Sequence, residues 1–218
     1  STVGRWMYVP FIPEVSFEMA DVCLGTLATM RNTSTMGGSD FMIYKWNYND
    51  PNSTEDTSEI KNGFWDYSVD GTFDVTLEVR NQSYPKFVYS VTKPIVITPT
   101  PDADFTIVNA CEGQDIQFND ATTSSSSDPI TYNWNFGDGS AASTMQNPTH
   151  QYATPKADGY QVSMTATQNG CAETVTKTAY QFATPVANFT STGACNLEEI
   201  EFTNATTIAI GKTGYTWD

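Results

Sequence analysis

One histidine, four cysteines, five tryptophans and 25 acidic residues are the side chains of this 218-residue sequence best suited to chemistry. A Ser-His-Asp relay would have to be built on His150, the single imidazole. The cysteines, Cys23, Cys111, Cys171 and Cys195, are far apart and form no Cys-x-x-Cys pair, so zinc lacks ligands. No phosphate loop or dinucleotide glycine pattern is present. The segment is expected not to be an enzyme. Asp102 and Asp104, and after them Asp138 beside Gly139, are oxygen donors of the kind calcium prefers. No EF-hand spacing supports them, and Asp before Gly is commonly a turn residue. Calcium is the one cofactor these donors leave open.

The elements that position these residues follow from composition and spacing. With ten basic residues, a net charge of −15 and a pI near 4.2, the chain has no clustered cationic face for nucleic acid or anionic lipid. Hydrophobic residues at 39% and aromatics at 13% supply packed cores. Thr, Tyr, Phe and Val are frequent and helix formers thin, a β composition. No run approaches the roughly 18 apolar residues of a membrane span, so no membrane insertion is expected. There is no initiator Met or signal peptide, so Ser1 is expected not to be the natural start. Four cysteines in such a chain suit an oxidising compartment.

The chain repeats itself. Asp104-Phe105, Cys111, Ile116, Phe118 and Ala121-Thr122 recur 84 positions later as Asn188-Phe189, Cys195, Ile200, Phe202 and Ala205-Thr206. Going back 88 positions, Phe105 falls on Phe17, Cys111 on Cys23, Tyr132 on Tyr44, Trp134 on Trp46 and Asp138 on Asp50. Ile130, Tyr132, Trp134 and Phe136 alternate with polar residues, as do Phe73, Val75, Leu77 and Val79, and Tyr160, Val162, Met164 and Ala166. That is the period of half-buried strands. Asp70-Gly71, Asp138-Gly139, Asp158-Gly159 and Asn169-Gly170 mark tight turns. The fold class is all-β: tandem immunoglobulin-like antiparallel sandwiches. Prolines place the boundaries. Residues 1–12, with Trp6-Met7-Tyr8-Val9, read as the last strand of a preceding repeat. Residues 13–100 and 101–184 are two repeats, and 185–218 the first part of a third, truncated one.

Tyr132-Asn133-Trp134-Asn135-Phe136-Gly137-Asp138-Gly139, then Asn147-Pro148-Thr149-His150-Gln151-Tyr152 and Gly159-Tyr160-Gln161-Val162, resembles the polycystic-kidney-disease (PKD) domain. The first repeat departs from that pattern at Asn47-Tyr48-Asn49-Asp50-Pro51 and at Trp65-Asp66-Tyr67. The resemblance implies a sandwich used as an extracellular spacer or adhesive module, commonly in tandem. The cysteine placement is similar to that of large surface adhesins of gliding bacteria exported by type IX secretion. In this family the position of His150 packs and hydrogen-bonds between strands, which gives it, with Tyr132 and Tyr152, a structural role.

Trp46, Trp134 and Trp217 share one repeat position on the inward face of a strand and are expected as core anchors rather than sugar platforms. Trp65 has no aromatic counterpart and is the candidate ligand contact. Cys111 and Cys171 are expected to pair, closing a loop of about 60 residues worth roughly 4 kcal/mol in the chain-entropy model. Cys195 is expected to pair beyond residue 218 and Cys23 to be a buried free thiol. These readings imply a non-catalytic, cell-surface repeat segment acting as a stiff spacer. Its partners would be neighbouring repeats, the secretion machinery during export, and an extracellular surface or glycan. The alternatives are accessory modules of a secreted polysaccharide- or protein-degrading enzyme, or glycan-binding modules.

Overall fold

A computed structural model describes residues 12–37, 41–193, 199–210, 214 and 216. It divides into two compact units, residues 1–100 and 101–218, and every regular element described is a strand. The strand expected at Trp6–Val9, Cys195 and Trp217 lie outside the described residues.

The first unit contains β1 (Phe17–Glu18), β2 (Val22–Cys23), β3 (Ala28–Asn32), β4 (Met42–Asn47), β5 (Thr57–Ser58), β6 (Gly63–Trp65), β7 (Gly71–Asn81) and β8 (Tyr84–Thr98). One sheet has the order β1-β3-β6, the other β2-β8-β7-β4-β5. Phe73, Val75, Leu77 and Val79 of β7 all point into the core, as their alternation requires. Facing sheets supply Phe17, Ala28 and Met30, and Trp46 lies among them with no exposed surface. Its indole meets Phe17 edge to face at 5.1 Å and donates from Nε1 to the Ile60 carbonyl at 3.0 Å, so its one polar atom is satisfied.

The second unit repeats this plan with β9 (Phe105–Val108), β10 (Ala110–Cys111), β11 (Ile116–Asp120), β12 (Thr131–Asn135), β13 (Thr149–His150), β14 (Tyr160–Gln168), β15 (Cys171–Ala179) and β16 (Gln181–Phe182). Its sheets are β13-β11-β9 and β12-β14-β15, with the separate pair β10-β16. Trp134 is wholly buried, meets Phe105 edge to face at 4.9 Å and donates Nε1–H to the Met145 carbonyl at 2.8 Å. Tyr132, expected as core, is only half-buried and sends its hydroxyl to Asp120 at 2.7 Å. Gly137 adopts φ +76°, and a Cβ there would lie 2.2 Å from the Gln161 carbonyl oxygen. Only glycine fits that turn. After the second sandwich, β17 (Phe189–Ser191) pairs with β18 (Phe202–Asn204) in the antiparallel register of β9 with β11.

Pairing is not antiparallel throughout. β2 runs parallel to β8 and β10 parallel to β16, because the chain leaves the β1 sheet to join the β8 sheet in the first unit and leaves the β9 sheet to pair with β16 in the second. An amide side chain or carboxylate marks each crossing. Asp21 Oδ1 accepts from the Val96 amide at 2.7 Å, and Asn109 Oδ1 from the Tyr180 amide at 2.8 Å.

Candidate binding surface

In the first unit β6 pairs with β3, placing Trp65 opposite Ala28 and Phe64 opposite Thr29. In the second, β13 pairs with β11, placing His150 opposite Ile116 and Thr149 opposite Gln117. Trp65 and His150 are therefore structural counterparts. Their surroundings agree. Trp65 stacks on Tyr48 at 5.0 Å and donates from Nε1 to Asp50 Oδ2 at 2.9 Å. His150 stacks on Phe136 at 4.1 Å, and its Nε2 is 2.8 Å from Asp138 Oδ2. Two residues on, the hydroxyls of Tyr67 and Tyr152 donate to the carbonyls of Tyr48 and Phe136, each at 2.8 Å. Burial raises the pKa of both tyrosines, and nearby aspartates, Asp50 for Tyr67 and Asp138 for Tyr152, raise it further.

The surface in front of this framework differs between the units. Leu27, Ile60 and Phe64 are exposed at 51%, 42% and 54%. With Tyr48, Ser58, Trp65 and Asp66 they line a cavity of about 310 Å³. In the second unit the corresponding positions are Asp115, Met145 and Thr149, with Phe136, His150 and Gln151 in place of Tyr48, Trp65 and Asp66. The sandwich does not require an apolar surface here. Tyr48, between Trp46 and Trp65, makes a ladder of three near-parallel rings that ends in the Trp65 indole. A second cavity of about 510 Å³ adjoins it across Leu27 and Phe64 and includes Glu18 and Arg31, which pair with each other at 3.3 Å.

The carboxylates named for calcium do not converge. Asp104 forms an ion pair with Lys177 at 2.5 Å, and that ammonium holds its carboxyl below the ordinary range. Asp102 is exposed and joins Thr123 through the backbone. Burial pushes the Asp138 carboxyl up, but hydrogen bonds from Ser140 and His150 outweigh it and hold the pKa at about 2. Among the described residues no three His, Cys, Asp or Glu side chains gather around one point.

The expected Cys111–Cys171 bridge does not form. Cys111 is free and exposed, whereas Cys171 is buried and disulfide-bonded. Cys111 lies beside Phe182 in the parallel pair, eleven residues along from Cys171. At 3.3 Å per residue they are roughly 35 Å apart along the strand, against the 7 Å limit for bridged Cα atoms. Cys23, expected as a buried free thiol, is half-buried and disulfide-bonded.

Two lysines escaped notice in the sequence although they stand 84 residues apart. Lys93 donates to the Phe17 carbonyl and Lys177 to the Phe105 carbonyl, each at 2.5 Å. Their ammonium groups lie 5.1 and 5.3 Å from the same phenylalanine rings.

Residues 98–183 match the family model of the PKD domain. The solved structures that the chain matches include multidomain fragments. The three N-terminal domains of the outer capsid protein Hoc of bacteriophage RB49 are 13% identical, with a TM-score of 0.40, over 93% of this chain and 70% of that one. The titin I-band fragment I67–I69 is 10% identical at 0.40, over 90% and 77%. For the N-terminal four Ig domains of Dscam1 isoform 1.9 the values are 12% and 0.32, with 74% of this chain covered, and the chain spans 42% of that structure. No curated protein matches the chain. The family match places a PKD-like domain at the second unit, and the strands of both units form immunoglobulin-like β-sandwiches. Disulfide-bonded cysteines in such domains suit an extracellular or surface setting. No helix among the described residues is long and apolar enough to cross a membrane.

Proposed function

We propose that this chain is a non-catalytic repeat segment of a bacterial cell-surface adhesin or filament, a stiff spacer that holds a distal binding domain away from the envelope. The observation that carries this reading is the repetition of one sandwich within the chain, with the same Trp anchor, the same Lys-to-Phe clasp and the same sheet-crossing strand in both units. Thr98-Pro99-Thr100-Pro101 and Ala183-Thr184-Pro185 leave few residues between repeats, and proline fixes φ there. The cysteine placement extends the proposal to adhesins exported by type IX secretion and used in gliding.

Small-angle scattering of the 218-residue chain tests the spacer. A maximum dimension close to the summed domain lengths supports it, and a compact profile overturns it. The gene surrounding the segment tests the setting. Many repeats without a catalytic domain fit an adhesin, whereas a few repeats beside a hydrolase domain make these modules accessory to a secreted enzyme.

A further inference from the structure

We propose that the cavity in front of Trp65 is a recognition site for an arginine side chain presented by a basic partner protein. The site lies wholly within the first unit and does not depend on the spacer reading.

Charge is the first argument. In the second unit the aspartate at this place, Asp138, faces a histidine. In the first, its counterpart Asp50 is 5% exposed and bonded to a neutral indole, with Asp56 accepting from its backbone amide at 3.0 Å. Among the described residues neither Asp50 nor Asp56 has a cationic partner. Asp66 at the cavity wall adds a third carboxylate where the second unit has Gln151. The nearest lining cation, Arg31 in the adjoining cavity, is held by Glu18. The chain as a whole carries −15, which favours the approach of a cationic partner.

Ring chemistry is the second. Tryptophan is the strongest cation-π acceptor, and a carboxylate bonded to its N–H polarises the indole toward greater electron density. Tyr48 covers one face of the Trp65 ring and fixes its plane. A guanidinium is planar and stacks on such a face while forming a fork of hydrogen bonds with a carboxylate, here Asp66. Its three-carbon stem would run against Leu27, Ile60 and Phe64, whose exposure is otherwise a liability. A neutral sugar would use the ring but would leave the Asp66 carboxylate at the wall and the Asp50 charge behind the indole without a cation.

The test is a titration of the isotope-labelled chain with an acetylated, amidated Gly-Arg-Gly peptide. It follows the indole N–H resonance of Trp65, assigned by its absence in Trp65→His. Saturable movement of that resonance with a dissociation constant of about 1 mM is expected for one side chain. Replacing the arginine by its uncharged isostere citrulline should weaken binding by about fivefold or more, and Asp66→Asn by about threefold. Trp65→His, which reproduces the arrangement of the second unit, should abolish binding. If that variant does not fold, Asp66→Asn and the citrulline peptide still decide the matter. Equal response to the two peptides, no response to either, or a response to methyl mannoside in place of the arginine peptide would each overturn the proposal.

Discussion

Trp65 and His150 hold the same position in two copies of one sandwich, each with a ring nitrogen within 3 Å of an aspartate, 2.9 Å for Asp50 and 2.8 Å for Asp138. The position thus tolerates either ring provided that it donates a hydrogen bond and stacks on the aromatic residue behind it. Trp65→Ala removes the donor from a buried carboxylate as well as the stacking, and should cost about 2–3 kcal/mol. Trp65→His should recover about 1 kcal/mol of that by restoring the bond. Thermal melts of the two variants check the order, and a histidine variant no better than alanine would show that the aspartate bond contributes nothing.

Trp134→Ala should cost more, about 3–5 kcal/mol, because a fully buried indole leaves a cavity that rigid strands cannot close. Denaturant unfolding followed by far-ultraviolet dichroism measures it.

The lysine clasp gives a prediction that surface ion pairs would not. Lys177→Met should destabilise the second unit by about 1–2 kcal/mol, since it leaves the partly buried Phe105 carbonyl without its donor. Asp104→Asn, at the exposed end of the same lysine, should leave the melting temperature almost unchanged, because solvent screens the pair. Equal effects in melting experiments would place the energy in the ion pair instead.

Asp138 makes stability depend on acid. Its pKa is depressed on folding, from 3.8 to about 2, so its contribution is present above pH 4 and is lost as pH falls through 2. Solvent screening limits that contribution to about 1 kcal/mol. Asp138→Asn should be less stable than the parent at pH 5, and the gap should close toward pH 2. Urea titrations at the two pH values test this, and a gap that persists in acid would refute it.

Thiol chemistry separates the cysteines. Iodoacetamide should modify Cys111 in the native protein, while Cys23 and Cys171 should react only after reduction. Peptide mapping by mass spectrometry reads the result, and native protection of Cys111 would contradict its exposure.

Sequence periodicity was sufficient for the long strands, because eleven alternating residues in β7 and nine in β14 leave one register that buries the apolar set. It was insufficient for the two-residue strands β2 and β10, too short to show alternation, so their parallel pairing and the position of Cys111 were missed. The equivalence of Trp65 and His150 was hidden for another reason. The offset between repeats is 88 residues at Trp46 and Trp134 but 85 at Trp65 and His150, and the two rings share a donor rather than a residue type. Lys93 and Lys177 carry no signal in the sequence, since nothing in their neighbours shows that the ammonium turns back over the opening strand.

The sheet-crossing strands settle how each sandwich meets tension. A pull on the two ends of the second unit draws β10 and β16 apart along their common axis, because the strands run parallel and leave the domain at opposite ends. The contacts between them, including the Glu112 amide to the Phe182 carbonyl at 2.7 Å and the Tyr180 amide to Asn109 at 2.8 Å, are loaded together in shear rather than opened one by one. The Leu24 amide to the Thr98 carbonyl and the Val96 amide to Asp21 do the same in the first unit. Separating these strands then requires several bonds to fail together. Under load, the lifetime of each module follows its unfolding rate, to which this small patch contributes, and not its equilibrium stability.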